Sequence, residues 1–156
     1  GILQANTLDP ALGYVGNIAA VDPTPIQQML SMEWIPIIAP VAIGCIGEGG
    51  DEGVLFNING DVAAGKLAVA LEAERLIYLT DVEGVMDASK RTIPRLLPEQ
   101  AQALIDSGIA AGGMIPKLEA CLNALPNVVS TQILDGRRPH ALMDCLDGSN
   151  NGTRVG

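Results

Sequence analysis

Three short stretches carry residues that could handle a phosphorylated ligand. In FNINGD, Asn57, Asn59 and Asp61 alternate, so an extended backbone sets them on one face, and the segment runs into a helix start where a carboxylate suits the dipole. In LTDVEGV, Thr80, Asp81 and Gly84 follow an apolar run directly. Backbone N–H groups there, with a glycine that permits close approach, could receive a nucleotide. In AAGGMIPK, Gly112 and Gly113 precede a helix start and Lys117 falls within about its first turn. A cation at that place opposes the helix dipole, a local conflict of the kind found where function intrudes. The chain has three lysines, Lys66, Lys90 and Lys117, and the last is best placed to meet a phosphate. The plainer alternatives are a solvated strand face for the asparagines and an ordinary strand-to-loop turn for Thr80 to Gly84.

Other motifs fail on their own chemistry. Residues 60–66 spell G-x-x-x-x-G-K, but Leu67 stands where a phosphate-binding loop needs a Ser or Thr hydroxyl for the metal. The alanines and leucines of VAAGKLAVAL also describe a helix already under way, with Lys66 as a solvated surface charge. GEGGDEG, residues 47–53, has the wrong spacing for a dinucleotide fingerprint and leads into a strand, so a tight turn is expected. His140 is the only histidine and no G-x-S-x-G occurs, which removes multi-histidine metal sites and leaves little for a Ser-His-Asp triad. His140 reads as a helix-start residue after Pro139.

The composition narrows the class. A chain of 156 residues fits one domain able to bury about two-thirds of its unfolded surface. Its apolar residues are mainly small and aliphatic, suited to a covered sheet with helices on its faces. The net charge of −9 excludes a nucleic-acid surface, so any phosphate must meet local positive groups or a metal ion. Cys45, Cys121 and Cys145 are widely spaced, without a C-x-x-C pair, and read as reduced, buried thiols in a cytoplasmic protein. No apolar run reaches membrane-spanning length, and the first residues lack the pattern of a signal peptide.

Along the chain, helix-like spacing in PTPIQQMLSM precedes the proline-interrupted apolar run WIPIIAPVAIG, expected as a buried strand. VLFNI reads as a strand, DVAAGKLAVALEAE as a helix and RLIYLT as a strand. PEQAQALIDSG is a helix opened by Pro98 and closed by Gly108. GGMIPKLEACLNALPN begins another helix, VVSTQILD is a strand and PHALMDCL a short final helix. This alternation predicts an α/β fold, a three-layer αβα sandwich with a mainly parallel sheet, whose ligands gather beyond the carboxyl ends of the strands.

The stretches LGYVG, IPIIAPVA, NINGDVAAG, LTDVEGV, GGMIPK, ILDGRRPHAL and GTRV resemble, in order, the amino acid kinase family and within it the acetylglutamate kinase branch. TDVEGV is shared across the superfamily, whereas GGMIPK together with NINGD is more specific. The resemblance implies the carboxyl-terminal, nucleotide-binding lobe over residues 1–156, with the amino-terminal substrate domain absent. It implies transfer of the ATP γ-phosphoryl, commonly with Mg²⁺, to the side-chain carboxylate of N-acetyl-L-glutamate in arginine synthesis. By the same resemblance Asn57 and Asn59 face substrate. Asp61 orients catalytic lysines and Lys117 steadies the transferring phosphoryl. Thr80, Asp81, Val82, Glu83, Gly84, Val85, Met86, Gly112 and Gly113 line the nucleotide, with Ile109, Ala110 and Ala111 on its adenine side.

The family's amino-terminal half holds a second catalytic lysine, glycine-rich loops and an arginine for the substrate, so this chain alone is expected to be inactive. The parent enzyme would be a homo-oligomer, and the piece monomeric or associated through a sheet edge. Gly60 replaces the family's usual Ala, and the ending LDGSNNGTRVG lacks the acidic residue of arginine-inhibited members, which argues against arginine feedback. The remaining alternatives are another amino acid kinase, or a non-catalytic arginine-sensing domain like that of acetylglutamate synthases.

Overall fold

The structure, a computed structural model, describes residues 1–45, 51–149 and 151–156. It divides into two compact units, Gly1–Leu71 and Glu72–Gly156.

The first unit is built on a four-stranded sheet. Strands β1 (Leu3–Thr7) and β2 (Gly16–Val21) pair antiparallel. The hairpin between them turns at Asp9, whose Oδ1 accepts the Ala11 N–H at 2.9 Å, and at Gly13 with φ 67°. Helix α1 (Thr24–Ser31) follows, then β3 (Val41–Gly44), parallel to β1, and β4 (Leu55–Asn57), antiparallel to β3. The order is β2-β1-β3-β4. The apolar run from Trp34 does not form a strand over its whole length. Pro36 and Pro40 have no N–H to give a ladder, so pairing begins only at Val41, and Ile35 and Ile37 are 90% and 94% exposed. Leu3, Ala5, Ile18, Ala42, Phe56 and Ile58 form the core of this unit, closed by Ala63 of helix α2 (Gly60–Ala70). A Cβ on Gly16 would lie 2.7 Å from Phe56 Cβ, which is why glycine stands there. Of the expected 47–53 turn, residues 47–50 lie outside the described residues. Strands β3 and β4 on either side are antiparallel, and Gly53 turns at φ 76°.

The second unit has its own four-stranded sheet. It comprises β5 (Arg75–Thr80), β6 (Arg95–Leu96), helices α3 (Pro98–Asp106) and α4 (Met114–Ala124), β7 (Ser130–Asp135), helix α5 (Ala141–Leu146) and β8 (Thr153–Val155). The order is β5-β7-β8-β6. The parallel sense expected from alternation holds for β1–β3, β5–β7 and β6–β8, while β1–β2, β3–β4 and β7–β8 are antiparallel. The antiparallel pairs arise where a short turn replaces a helical crossover and where β8 returns beside β7. Helix α3 opens at Pro98, with the Leu97 N–H held by Gln100 Oε1 at 2.9 Å, and stops at Gly108 with φ 72°. Its last carbonyls are satisfied through the Gly108 and Ala110 N–H groups at 3.0 and 2.9 Å. Leu118, Cys121 and Ala124 of α4 are buried, as are Ile133 and Leu134 of β7 and Val155 of β8. Among the described residues no helix is long and apolar enough to cross a membrane.

Candidate functional site

In the first unit the asparagines stand where the strand gives way to the helix. Phe56 and Ile58 are buried while Asn57 and Asn59 are exposed, so the two asparagines do share the outward face. The extended segment stops there. Asn59 is the N-cap of α2, its Oδ1 accepting the backbone N–H of Asp61 at 2.9 Å and of Val62 at 3.2 Å. That oxygen is therefore committed to the helix, and the amide nitrogen is the group Asn59 retains for a ligand. Asp61 follows in the first turn, where its carboxylate meets the positive end of the helix dipole. Gly65 is buried within α2 and Lys66 is exposed, so the G-x-x-x-x-G-K pattern lies in a helix and not in an open loop.

In the second unit the strand ends define a rim. β5 finishes at Thr80 and β7, parallel to it and in register, finishes at Asp135. The chain returns from one strand to the start of the other through α4, which packs on both. Because α4 ends at Ala124 shortly before β7 begins, its first turn lies towards the rim where β5 and β7 end. Lys117 sits one turn into α4, yet its Nζ reaches back to within 3.5 Å of the Gly113 carbonyl. Helical Cβ atoms tilt towards the N-terminus, which directs the ammonium to the start of the helix. The finishing end of β5 thus carries Thr80 and Asp81, and the start of α4 carries Gly112, Gly113 and the Lys117 ammonium. A Cβ at either Gly112 or Gly113 would meet nothing within 4 Å, so space lies open there. Helix α4 begins without a side-chain cap.

The loop after Thr80 is fastened from behind. Thr153, fully buried, accepts the Val85 N–H at 2.8 Å and donates to the Ile93 carbonyl at 2.6 Å. Gly84, at φ 154°, has room for no side chain, because a Cβ would lie 2.7 Å from Thr153 Oγ1. Its close approach is thus to β8. Thr92 Oγ1 donates to Glu83 at 3.2 Å, Met86 bridges to Thr92, and Val85 is buried. Asp81, Glu83 and Met86 are exposed and Val82 half-buried. Ile109 and Ala111 are exposed, whereas Ala110 is buried. His140 precedes α5 in a left-handed conformation, in keeping with a helix-start role.

One rim group escaped the sequence reading. The Asp135 carboxylate is gripped by Arg137, whose Nε and Nη2 each donate at 2.8 Å and whose backbone N–H donates at 3.0 Å. The guanidinium hydrogen bonds, followed by the backbone one, hold the Asp135 carboxyl at about 2. The spacing D-x-R at a strand end was the available signal. Since the folded value is depressed, this pair stabilises the fold above the ordinary carboxylate range and the contribution is lost as pH falls through about 2. A carbon-detected NMR titration should give an Asp135 midpoint about there, rising towards the ordinary value in Arg137→Gln. An ordinary midpoint in the unsubstituted chain would mean the pair does not form in solution.

Cys121 and Cys145 are buried and Cys45 half-buried, all as free thiols. Burial raises the pKa of Cys145, whose Sγ donates to Gln132 Oε1 at 2.9 Å. Among the described residues no cluster of three His, Cys, Asp or Glu side chains could hold a metal ion unaided.

Comparison with known proteins places this geometry. The sequence model of the Amino acid kinase family matches residues 2–135. An acetylglutamate kinase of Caulobacter sp. is 48% identical over 135 residues, covering 85% of this chain and 42% of the relative. One from Rhodospirillum centenum is 45% identical, covering 93% and 46%. The chain therefore spans about half the length of the curated relatives it matches. Among solved structures, N-acetylglutamate synthase from Neisseria gonorrhoeae complexed with coenzyme A and L-arginine superposes with a TM-score of 0.84 at 28% identity, over 99% of this chain and 36% of that one. With that match, and with the strand-end rim and its helix start in view, the chain belongs to the amino acid kinase family.

Proposed function

We propose that this chain is the ATP-binding half of an acetylglutamate kinase, which moves the ATP γ-phosphoryl to the side-chain carboxylate of N-acetyl-L-glutamate. The observation that carries the reading is the Lys117 ammonium drawn back to the Gly113 carbonyl at the start of α4, the helix that leads back to β7. A loose phosphoryl transition state needs charge compensation on its equatorial oxygens more than covalent chemistry, and an ammonium at a helix start supplies it. Asp61 orients the catalytic lysines, and Asn57 with the amide of Asn59 faces acetylglutamate. The loop from Thr80 to Met86 and the segment from Ile109 to Gly113 line the nucleotide.

A Mg²⁺ ion would enter with the phosphates and take most of its ligands from them and from water. The donors supplied by the remainder of the relatives' length are required for turnover, so the isolated chain is inactive. The parent enzyme is a homo-oligomer, and its free thiols favour the cytoplasm. The curated relatives named above support the acetylglutamate reading over the other amino acid kinases and over the synthase-type arginine sensor.

Titration of the ¹⁵N-labelled chain with Mg·ATP should produce saturable shifts in the amides of Thr80 to Met86 and of Ile109 to Met114, and L-arginine should leave them in place. Shifts with arginine and none with ATP would replace the kinase half with the sensor.

A further inference from the structure

The second unit also carries a basic cavity away from the rim. β6 and β8 run parallel with Arg95 set beside Arg154, and the row continues from Arg154 to Gln132 on β7. Arg75 and Ser130 pair at the starting ends of β5 and β7. These side chains, with Glu74 and with Ser149 beyond α5, border a cavity of about 410 Å³, three arginines against one carboxylate. Thr80 and Asp135 lie at the opposite, finishing ends of the same two strands.

Like charges side by side on neighbouring strands oppose folding. The chain has only nine basic residues against eighteen acidic ones, and three of the nine line this one cavity. Arg75 is accounted for by the protein itself. Its Nη1 donates to the carbonyls of Cys145 and Leu146 at 3.2 Å each, and its Nε lies 3.6 Å from Glu74. It therefore closes the end of α5. Among the described residues the side chains of Arg95 and Arg154 have no ion pair or hydrogen bond, and the one acidic residue bordering the cavity, Glu74, is drawn to Arg75. Gln132 uses its Oε1 to accept the Cys145 thiol, which leaves its NH₂ as a donor.

We propose that this cavity is a second ligand site, taking a small molecule that carries a carboxylate or phosphate group. The oxyanion lies between the guanidiniums of Arg95 and Arg154, whose planar forks match such groups, with Ser130, Gln132 and Ser149 as polar neighbours. A cationic ligand would meet repulsion from the same pair. The site does not depend on the kinase reading, because no residue of the strand-end rim lines it.

The test follows the arginine Nε–Hε signals of the whole chain by NMR. Inorganic phosphate and succinate are added in separate titrations at constant ionic strength, with sodium chloride as the reference. Saturable shifts are expected for Arg95, Arg154 and the Ser149 amide, with Arg91 and Arg138 unmoved. The probe that saturates first distinguishes phosphate from carboxylate ligands. R95Q and R154Q should each weaken that binding about tenfold or more, the usual scale for losing a charged hydrogen-bond donor. Non-saturating shifts, shifts spread equally over Arg91 and Arg138, or unchanged affinity in both variants would overturn the proposal.

Discussion

Lys117→Ala is expected to lower the rate of phosphoryl transfer about 10²- to 10³-fold, the scale of losing one preorganised transition-state donor. The measurement is made on the chain completed with the remaining half of an acetylglutamate kinase, since the proposed activity needs both. The ammonium stands over the first turn of α4, and in the proposed reaction its charge would compensate oxygens that become more negative only as the bond to the leaving phosphate stretches. The loss should therefore fall on kcat, with KM for ATP changing much less. Equal fall of kcat in a surface control, Lys66→Ala on the exposed side of α2, would show that the assay reports folding and not chemistry. A K117A enzyme with near-normal kcat would remove Lys117 from the mechanism.

Thr153→Val should destabilise the second unit by roughly 2–4 kcal/mol. The substitution keeps shape but leaves the buried Val85 N–H without its acceptor and the Ile93 carbonyl without its donor, and each orphaned group costs about 1–3 kcal/mol. Thermal unfolding should move down by several degrees. Amide exchange at Val85 should accelerate, because its partner is the threonine side chain. A chain that melts unchanged and still protects Val85 would show that the loop is held by other means. The same hydroxyl is what excludes a side chain from Gly84, so the loop of Thr80 to Met86 is shaped as much by β8 as by its own sequence.

That dependence explains what the sequence could and could not disclose. RLIYLT and VVSTQILD are long apolar β-branched runs with clear boundaries, and they became β5 and β7 almost residue for residue. Pro98 and Gly108 bracket α3 as their backbone preferences require. The hairpin of β1 and β2 stayed hidden because LQANT and GNIAAV mix small and polar residues without strict alternation. β6 and β8, at two and three residues, are too short for any periodicity to show. Prolines shortened the expected strand before Val41, since they remove ladder donors that apolarity alone does not reveal. The α/β class and family fold were nevertheless legible from the alternation and motifs.

At the site, residue types were legible but not their local duties. Alternation marked Asn57 and Asn59 correctly as outward-facing, yet Asn59 spends its oxygen on capping α2. Gly84 reads as a glycine that makes room for a ligand, and nothing in that reading tells that its missing side chain makes room for Thr153, sixty-nine positions later in the numbering. Asp135 and Arg137 are close in sequence, but nothing in their spacing tells that the carboxylate is buried at the finishing end of a strand.

β8 lies between β7 and β6 although it comes after both in the chain. During synthesis on the ribosome, a nascent chain that has not yet emerged beyond Val155 holds β7 with one side open and β6 with no neighbour at all. Vectorial growth thus cannot complete this sheet strand by strand, and the half-made layer is a surface on which chaperones, or a neighbouring polysome product, can act before closure.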